Sequence, residues 1–505
     1  MRGVGLFVIF ATLSVLLCGV TTSPRFSDEI FHLWMARRWY EEGRRPVYNP
    51  LVDTLEEAGY RRYYNASPLW HLGLKSLWEH SGGFSLAAAQ VYQSFFFLLL
   101  VVLGLLLGRW CYGKSEAQWT AFLCATTPFS LAFGVLLFKD IALCALVALA
   151  LLPLVKGRYG LSGILLGMAF LFKRSAYLLL SSFAVVAFLR KKGGLTARFK
   201  AAVSLFLLMV LVTVPEFVYR YRNFGGLIVP EDKGRVMEVV RKVSKGVSLL
   251  SPYEDPPHFR NYLPETVTDP LNFPKYWGVS LLGLFPLFLL KRRSLWGREG
   301  ISLLLIVGGY LPFYFLLFKG WLGVRYLMPL VTPVAVMGGR VVSSLRRKAK
   351  EVLIVLCVVQ FGATLVYVYK ERRIKPEERD VLEFIRREVP EGERILTPEE
   401  LFVSYYTGRP TVWWNSFAVR PSGFRRTEDF ISLMWGGEEL QREVLKRYRV
   451  GWVLLFSKRV YDDTRERHMG GFPCSFVRRA FLSPLFEVVY TRKGVILLKV
   501  KENEV

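Results

Sequence analysis

The stretch RFSDEIFHLWMARR, residues Arg25–Arg38, follows directly after the first hydrophobic segment of the chain. It places two carboxylates, Asp28 and Glu29, where the chain leaves that segment, and an amphipathic pattern comes next. Many further hydrophobic segments follow, so this order predicts an acidic pair at the outer boundary between membrane and water. Chemistry at that surface depends on lipid-linked substrates, because soluble nucleotide-activated donors stay in the cytoplasm.

The composition indicates an integral membrane protein. Of the 505 residues, 52% are hydrophobic and 15% are aromatic, and the mean hydropathy is +0.30. Ordinary soluble domains are less apolar. The net charge of +26 falls largely between the hydrophobic runs, where a positive-inside bias and anionic lipid head groups explain it. The sequence carries neither a zinc-finger nor an RNA-binding signature, so nucleic acid is not a predicted partner.

Hydrophobic runs predict about eleven transmembrane helices, each close to the length that a bilayer requires. The predicted spans are Val4–Val20, Phe84–Gly108, Ala117–Phe138, Ile141–Val155, Leu161–Phe172, Tyr177–Leu189, Ala201–Tyr219, Trp277–Leu290, Ile301–Phe318, Val324–Gly339 and Val352–Tyr369. A cleaved signal peptide is the alternative for the first run. With that run retained and the N-terminus in the cytoplasm, the Lys- and Arg-rich loops around residues 190–200 and 340–350 also fall there.

The spacing of these runs predicts two domains in a multi-pass protein of the cell membrane. Residues 1–370 form a transmembrane domain with outer regions at 23–83 and 220–275. Residues 371–505 form a C-terminal soluble domain on the extracytoplasmic side. This segment has a charged helical pattern at Glu377–Glu388 and strand-like runs at Trp452–Phe456 and Val495–Val500, which predict a small α/β fold.

The segment that carries Asp28 and Glu29 reads as a helix. Apolar Ile30 and Trp34 fall on one side and Gly43 ends the pattern, which predicts an interfacial amphipathic helix on the membrane surface. One account of the two carboxylates is favourable charge in a first helical turn. The other is a general base at the membrane–water boundary.

Seven short motifs occur in an order that resembles the GT-C superfamily, the glycosyltransferases that use polyprenyl-phosphate sugars. They are Asp28-Glu29, Ala36-Arg37, Ser67-Pro68-Leu69, Phe138-Lys139-Asp140, the Gly-rich run Gly163–Arg174, Val324–Leu330 and Tyr405–Pro410. The closest likenesses are the protein O-mannosyltransferases and the lipid A aminoarabinose transferases. Each motif alone is weak, and their order over the full length makes the resemblance specific. One departure is Ser67, where the family usually has a first proline.

The resemblance implies an α-helical GT-C fold and roles for three acidic residues. The first Asp of the motif is the catalytic base in the family, which assigns that role to Asp28, with Glu29 in the same catalytic motif. Asp140 starts the outer end of a span, where the family places a second acidic residue. It would reach the same pocket and orient the acceptor or a neighbouring cation.

Three cations are candidates for binding the donor phosphate. Lys173, Arg174 and Arg325 fall at outer membrane depth in the predicted topology, where charge is costly unless it is paired or functional. A lipid phosphate is a natural partner for such cations, and Arg can bind it through two hydrogen bonds. The alternative is a side chain that extends from a helix end towards water.

These residues predict an inverting glycosyltransferase that moves a sugar from a polyprenyl- or dolichyl-phosphate donor to a protein, lipid or glycan acceptor. The alternatives are a transporter or flippase of a lipid-linked glycan, and an oligosaccharyltransferase-like enzyme that uses a diphosphate-linked donor. No cofactor is required by the pattern, and a divalent metal ion stays open. His32, His71 and His258 lie in outer regions, but without a diagnostic ligand spacing.

Overall fold

The computed structural model describes residues 2–46, 67–224, 278, 284–290, 297–318, 324–397, 399–413, 427–455, 460–462, 467–469 and 472–501. The chain divides into two compact units. The first comprises the described residues within Met1–Pro24, Ala66–Leu227 and Pro264–Arg372. The second comprises those within Arg25–Asn65, Ile228–Leu263 and Arg373–Val505. His258 and most of the predicted outer region 220–275 lie outside the described residues.

Helices dominate the first unit. In chain order the helices of the described residues are α1 (Arg2–Val20), α2 (Ser27–Glu42), α3 (Leu69–His80), α4 (Leu86–Cys111), α5 (Lys114–Thr126), α6 (Pro128–Val135), α7 (Asp140–Val155), α8 (Tyr159–Phe172), α9 (Leu180–Arg190), α10 (Leu195–Phe224), α11 (Gly297–Phe318), α12 (Val331–Ser343), α13 (Arg347–Arg372), α14 (Pro376–Glu388), α15 (Glu400–Thr407), α16 (Thr427–Trp435), α17 (Glu438–Arg447) and α18 (Cys474–Leu482). Short 3₁₀ helices span Arg174–Leu179 and Val324–Leu330. The second unit holds α2 and α14 to α18.

Among the described residues, four helical segments are long and apolar enough to cross a membrane. They are Leu86–Cys111, Leu195–Asn223, Arg325–Ser343 and Arg347–Glu388. Val4–Val20, Asp140–Val155 and Tyr159–Phe172 are apolar but shorter. The mostly helical architecture is therefore confirmed, while the count of about eleven spans stays a prediction.

The predicted span Ala117–Phe138 is not one continuous helix. It is divided into α5 and α6 at Thr127, which has an extended backbone with φ −65° and ψ 128°. Pro128 follows, and a residue before proline is disfavoured in the α conformation because its backbone collides with the proline ring. Pro128 then takes the first position of α6, where a missing N–H costs nothing. The second helix, α6, ends at Val135, and residues 136–139 separate it from α7, which begins at Asp140.

Two glycines of α8 allow it to pack closely against α10 in the first unit. A Cβ on Gly163 of α8 would lie 2.2 Å from the backbone oxygen of Leu205 in α10, and one on Gly167 would lie 3.0 Å from that of Met209. Such small-residue stripes let helix backbones approach where the surrounding solvent is lipid. The Gly-rich run of the sequence is thus a packing surface for α10.

Partly buried ion pairs link other helices of this unit. Arg340 of α12 donates to Glu116 of α5 at 2.7 Å. Arg190 of α9 donates to Glu299 of α11 at 2.9 Å and to the carbonyl oxygen of Val155 in α7 at 2.7 Å. Each pair joins helices that are distant in sequence, and Arg340 and Arg190 lie beside loops that the sequence analysis assigns to the cytoplasm.

The second unit contains a five-stranded mixed sheet with the order β2-β1-β3-β8-β7. Its strands are β1 (Arg394–Thr397), β2 (Thr411–Trp413), β3 (Val450–Leu455), β7 (Phe486–Arg492) and β8 (Val495–Val500). The pairs β1–β2 and β1–β3 are parallel, whereas β3–β8 and β8–β7 are antiparallel. A small antiparallel sheet joins β4 (Val460–Asp462), β5 (Arg467–Met469) and β6 (Phe472–Pro473). The helix and both strands predicted for this segment are present.

Apolar residues alternate between the two faces of the large sheet. Leu396 and Val453 belong to one core cluster, while their neighbours Ile395 and Leu454 belong to another. Ile30 of α2 is part of the second cluster. The apolar side of α2 is therefore covered by protein. The placement of α2 along the membrane surface stays a prediction.

Candidate active site

In the first unit, Asp140 and Lys173 form a buried ion pair. Asp140 is the first residue of α7 and is only 3% exposed. Lys173 follows the last residue of α8, and its Nζ donates to Oδ1 of Asp140. A carboxylate is favoured in the first turn of a helix because the unpaired N–H groups carry partial positive charge. Two helix ends thus bring together Asp140, the second acidic residue predicted for the site, and Lys173, one of the cations predicted to bind phosphate.

Aromatic rings place a second cation beside this pair. The Nζ of Lys173 lies 4.5 Å from the ring centroid of Tyr326. The guanidinium of Arg325 lies 5.3 Å from the same centroid and 5.7 Å from that of Phe138. Rings attract cations through their negative faces. Lys173 and Arg325 therefore share one tyrosine ring.

Two hydrogen bonds fix the 3₁₀ helix that carries Arg325 and Tyr326. The Tyr310 hydroxyl of α11 donates to the carbonyl oxygen of Tyr326 at 2.5 Å. The Cys144 thiol of α7 donates to the carbonyl oxygen of Met328 at 2.8 Å. The ring and the cation therefore have a defined position relative to α7. The third predicted cation, Arg174, begins the 3₁₀ helix directly after Lys173.

Gln93 of α4 holds the segment that leads into Asp140. Its Nε2 donates to the carbonyl oxygens of Phe133 at 2.7 Å, Leu136 at 2.6 Å and Phe138 at 2.7 Å. Its Oε1 accepts the indole N–H of Trp70 at 3.3 Å. Irregular backbone at membrane depth needs such partners, because lipid supplies none. Gln93 was not among the predicted site residues, although it is one of two glutamines, with Gln90, in an apolar span.

Asp28 and Glu29 belong to the second unit and have different surroundings. Glu29 is fully buried, and its Oε2 accepts the backbone N–H of Arg25 at 3.1 Å. Asp28 is partly exposed. Glu29 thus satisfies a backbone donor just ahead of α2, while Asp28 keeps access to solvent. This division makes Asp28 the better placed of the two for proton transfer.

Arg25 ties the start of α2 to the C-terminal part of its unit. Its NH2 donates to Oε1 of Glu378 at 3.0 Å and its NH1 to Oε2 of Glu399 at 3.1 Å. Its guanidinium lies 4.1 Å from the ring centroid of Phe402. Burial alone would lower the pKa of Arg25, but the two carboxylates outweigh burial and raise that pKa. Sequence reasoning missed this contact because it joins residues far apart in the chain.

Aromatic contacts continue along α2. The Trp34 and Tyr405 rings have centroids 6.1 Å apart in an edge-on arrangement. Burial raises the pKa of Tyr405 to about 12, with Glu29 adding to the rise and Arg37 opposing it. Tyr405 lies in the Tyr405–Pro410 motif of the sequence, so this motif contributes to the contact surface of α2.

The described residues contain no group of three or more His, Cys, Asp or Glu side chains placed to hold a metal ion. His258 and Glu254 lie outside those residues. A divalent ion stays an open alternative, and the mechanism proposed below uses none.

The mostly helical chain has a fold similar to that of solved GT-C proteins. It superposes on ArnT from Cupriavidus metallidurans bound to undecaprenyl phosphate with a TM-score of 0.61, at 13% identity, over 98% of each chain. The apo state of ArnT gives a TM-score of 0.60, at 12% identity, over 98% of this chain and 97% of that one.

A second similar structure is the archaeal oligosaccharyltransferase AglB from Archaeoglobus fulgidus, in complex with an inhibitory peptide and a dolichol-phosphate. Its TM-score is 0.59, at 13% identity, over 88% of this chain and 68% of that one. Both proteins are GT-C members, so the resemblance drawn from the sequence is confirmed at the level of fold. No family model matches the sequence, and no curated protein matches it.

Proposed function

We propose that the protein is an inverting glycosyltransferase that moves one sugar from a polyprenyl or dolichyl monophosphate to an acceptor hydroxyl on the outer side of the membrane. The observation that carries the proposal is the pairing of Lys173 and Arg325 on one tyrosine ring beside Asp140. It occurs in a chain whose fold matches, over 98% of its length, a protein bound to undecaprenyl phosphate. Cations fixed at helix ends suit a phosphate leaving group.

In this proposal Asp28 acts as the general base. It takes the proton of the acceptor hydroxyl while the acceptor oxygen attacks the anomeric carbon. The bond between that carbon and the phosphate oxygen breaks, the electron pair leaves with the lipid phosphate, and the configuration inverts. A positioned base contributes about 10²–10⁴-fold to such a step.

The cations stabilise the charge that develops on the leaving phosphate. Lys173, Arg174 and Arg325 are assigned to this role, and their contribution grows as the glycosidic bond breaks. Asp140 orients Lys173 through the ion pair that the two residues form. Glu29 supports the start of α2 through the Arg25 amide rather than reacting itself.

The orientation in the membrane is part of the proposal. The N-terminus is assigned to the cytoplasm and residues 371–505 to the extracytoplasmic side. Support comes from the basic loops, which follow the positive-inside rule when the chain is placed this way. Lipid-linked donors are the form of activated sugar available on that outer side.

A donor-panel assay tests the proposal. Purified protein is mixed with a panel of polyprenyl-phosphate sugars and native membrane extract as the acceptor source, and release of polyprenyl phosphate is measured. We expect release with one class of donor, and a loss of about 10²–10⁴-fold in Asp28→Asn. Glu41→Gln is the matched control, because it removes an exposed carboxylate from the same helix.

Two outcomes would contradict the proposal. Release by Asp28→Asn at the wild-type rate would remove the base from its role. No release with any monophosphate donor would remove the reaction, and would favour transport of a lipid-linked glycan or transfer from a diphosphate-linked donor.

A further inference from the structure

Arg25 lies three residues before the proposed base and has its contacts within the second unit. Its side chain is 17% exposed, while those of its partners Glu378 and Glu399 are 5% and 34% exposed. The guanidinium fork reaches one carboxylate with each terminal nitrogen, and the Phe402 ring lies against it. Such a two-partner contact fixes both the position and the rotation of the arginine side chain.

The backbone of Arg25 is held as well. Its N–H donates to the buried carboxylate of Glu29, one turn into α2. Ile30 then enters the core cluster that contains Val381 of α14 and Leu401 of α15. Residues on both sides of Asp28 are therefore anchored, one by charge and one by apolar burial.

We infer that Glu378 and Glu399 are positioning residues for Asp28: with Arg25 they form a clamp that fixes the first turn of α2. This inference rests on the function proposed above for Asp28. It assigns a role to the C-terminal part of the chain, which supplies the two carboxylates and Phe402. The clamp acts through Arg25 and touches neither the donor nor the acceptor.

The two carboxylates have distinct secondary tasks. Glu378 also accepts the backbone N–H of Lys375 through Oε2 at 3.0 Å, so it helps to start α14. Glu399 begins the segment leading into α15, which carries Phe402 and Tyr405. Glu399→Gln is therefore the cleaner perturbation, because it removes charge without removing a helix cap.

Hydrogen exchange provides a test that does not depend on activity. The variants are Arg25→Met, Glu399→Gln and a double variant, Arg25→Glu with Glu399→Arg, which swaps the two charges. Since a buried charged hydrogen bond contributes strongly to local stability, we expect amides of residues 28–32 to exchange about 10–100-fold faster in Arg25→Met. Glu391→Gln is the control, because Glu391 is exposed and pairs with Arg409 away from Arg25.

Kinetics provide the second readout. Arg25→Met is expected to lower kcat by up to about 10²-fold, since a small displacement of a catalytic group has an effect of that size. The KM for the donor should stay within about threefold, because no binding contact is removed. The charge-swapped double variant should recover part of the protection against hydrogen exchange and part of kcat. A general loss of folding would not allow this recovery. Arg25→Lys keeps the charge and tests the clamp if Arg25→Met fails to fold.

The outcomes separate the two proposals. The inferred clamp would be wrong if both Arg25→Met and Glu399→Gln kept the wild-type hydrogen exchange of residues 28–32 and the wild-type kcat. Faster exchange with wild-type kcat would overturn its role in positioning Asp28. If the wild-type protein releases no lipid phosphate from any donor, the proposed function fails, and the exchange of residues 28–32 still decides whether the clamp fixes α2.

Discussion

Replacing Gln93 should destabilise the first unit more than replacing Gln90, an amide on the same helix. Its Nε2 donates hydrogen bonds to the carbonyl oxygens of Phe133, Leu136 and Phe138, and its Oε1 accepts one from the indole N–H of Trp70. Gln93→Met has nearly the same length and removes all four contacts. The carbonyls then lie buried with no donor from this position, at a depth where water is scarce.

The magnitude follows from counting hydrogens. The amide nitrogen has two hydrogens for three carbonyls, so about two full hydrogen bonds are lost from that group. An unsatisfied buried acceptor costs about 1–3 kcal/mol, which gives about 2–6 kcal/mol for Gln93→Met. Gln90 is a matched control on the same helix, because its Nε2 donates to a single carbonyl, that of Gly134 at 3.2 Å. Gln90→Met should therefore cost about 1–3 kcal/mol.

Unfolding of both variants in detergent, measured by urea titration with pulse proteolysis, checks the difference. Hydrogen exchange of residues 136–140 should also rise in Gln93→Met and stay closer to wild type in Gln90→Met. Equal stability loss in the two variants would refute the reasoning, because it would mean that the three-carbonyl contact contributes no more than one ordinary bond.

Three further predictions concern packing, charge and pH. Gly163→Ala should destabilise by about 1–3 kcal/mol in the same unfolding assay, because its Cβ would collide with a backbone oxygen, whereas Gly5→Ala has open space and should be neutral. Glu116→Gln should cost about 1–3 kcal/mol, between the values for exposed and buried ion pairs, and Arg340→Leu in addition should recover part of it. Because burial raises the pKa of Tyr405 from 10.0 to about 12, the folded state binds more protons in that interval and stability should fall as pH rises from 10 to 12. In Tyr405→Phe this fall should be shallower by up to roughly 3 kcal/mol over the interval, as measured by unfolding at fixed pH values.

Local patterns predicted the elements of the second unit well. The charged run Glu377–Glu388 is a helix, observed as Pro376–Glu388, because Pro376 and the following acids are favourable in a first turn. The run Val495–Val500 is the strand β8, which lies between β3 and β7 in the sheet. Its first four residues are buried. In both cases the signal lies within about ten residues, which is the range over which periodicity and capping act.

The break in Ala117–Phe138 also had a local signal, in Thr127 before Pro128. Hydrophobicity alone gave a single span, since an apolar run shows the same composition whether it is one helix or two. The proline rule outweighs that composition at this point. The break therefore begins a second helix, α6, at Pro128.

The contacts that define the candidate site had no local signal. Arg25 and Glu378 are separated by 353 positions, and Gln93 and Phe138 by 45. Side chains that meet across such distances are fixed by tertiary packing. The motif order selected the candidate site residues, but the partners that hold them required the structure.

The unequal surroundings of Asp28 and Glu29 have a consequence for how the pair tolerates change. The Glu29 side chain must reach from α2 to the backbone N–H of Arg25, so its length matters. Gln has the same length and an amide oxygen that could accept this hydrogen bond. Asp28, as the proposed base, needs a titrating carboxylate, and Gln or Asn at that position would slow the reaction by about 10²–10⁴-fold. The two adjacent residues of this motif are thus constrained differently. Asp28 must ionise, whereas Glu29 must have a side chain of the right length.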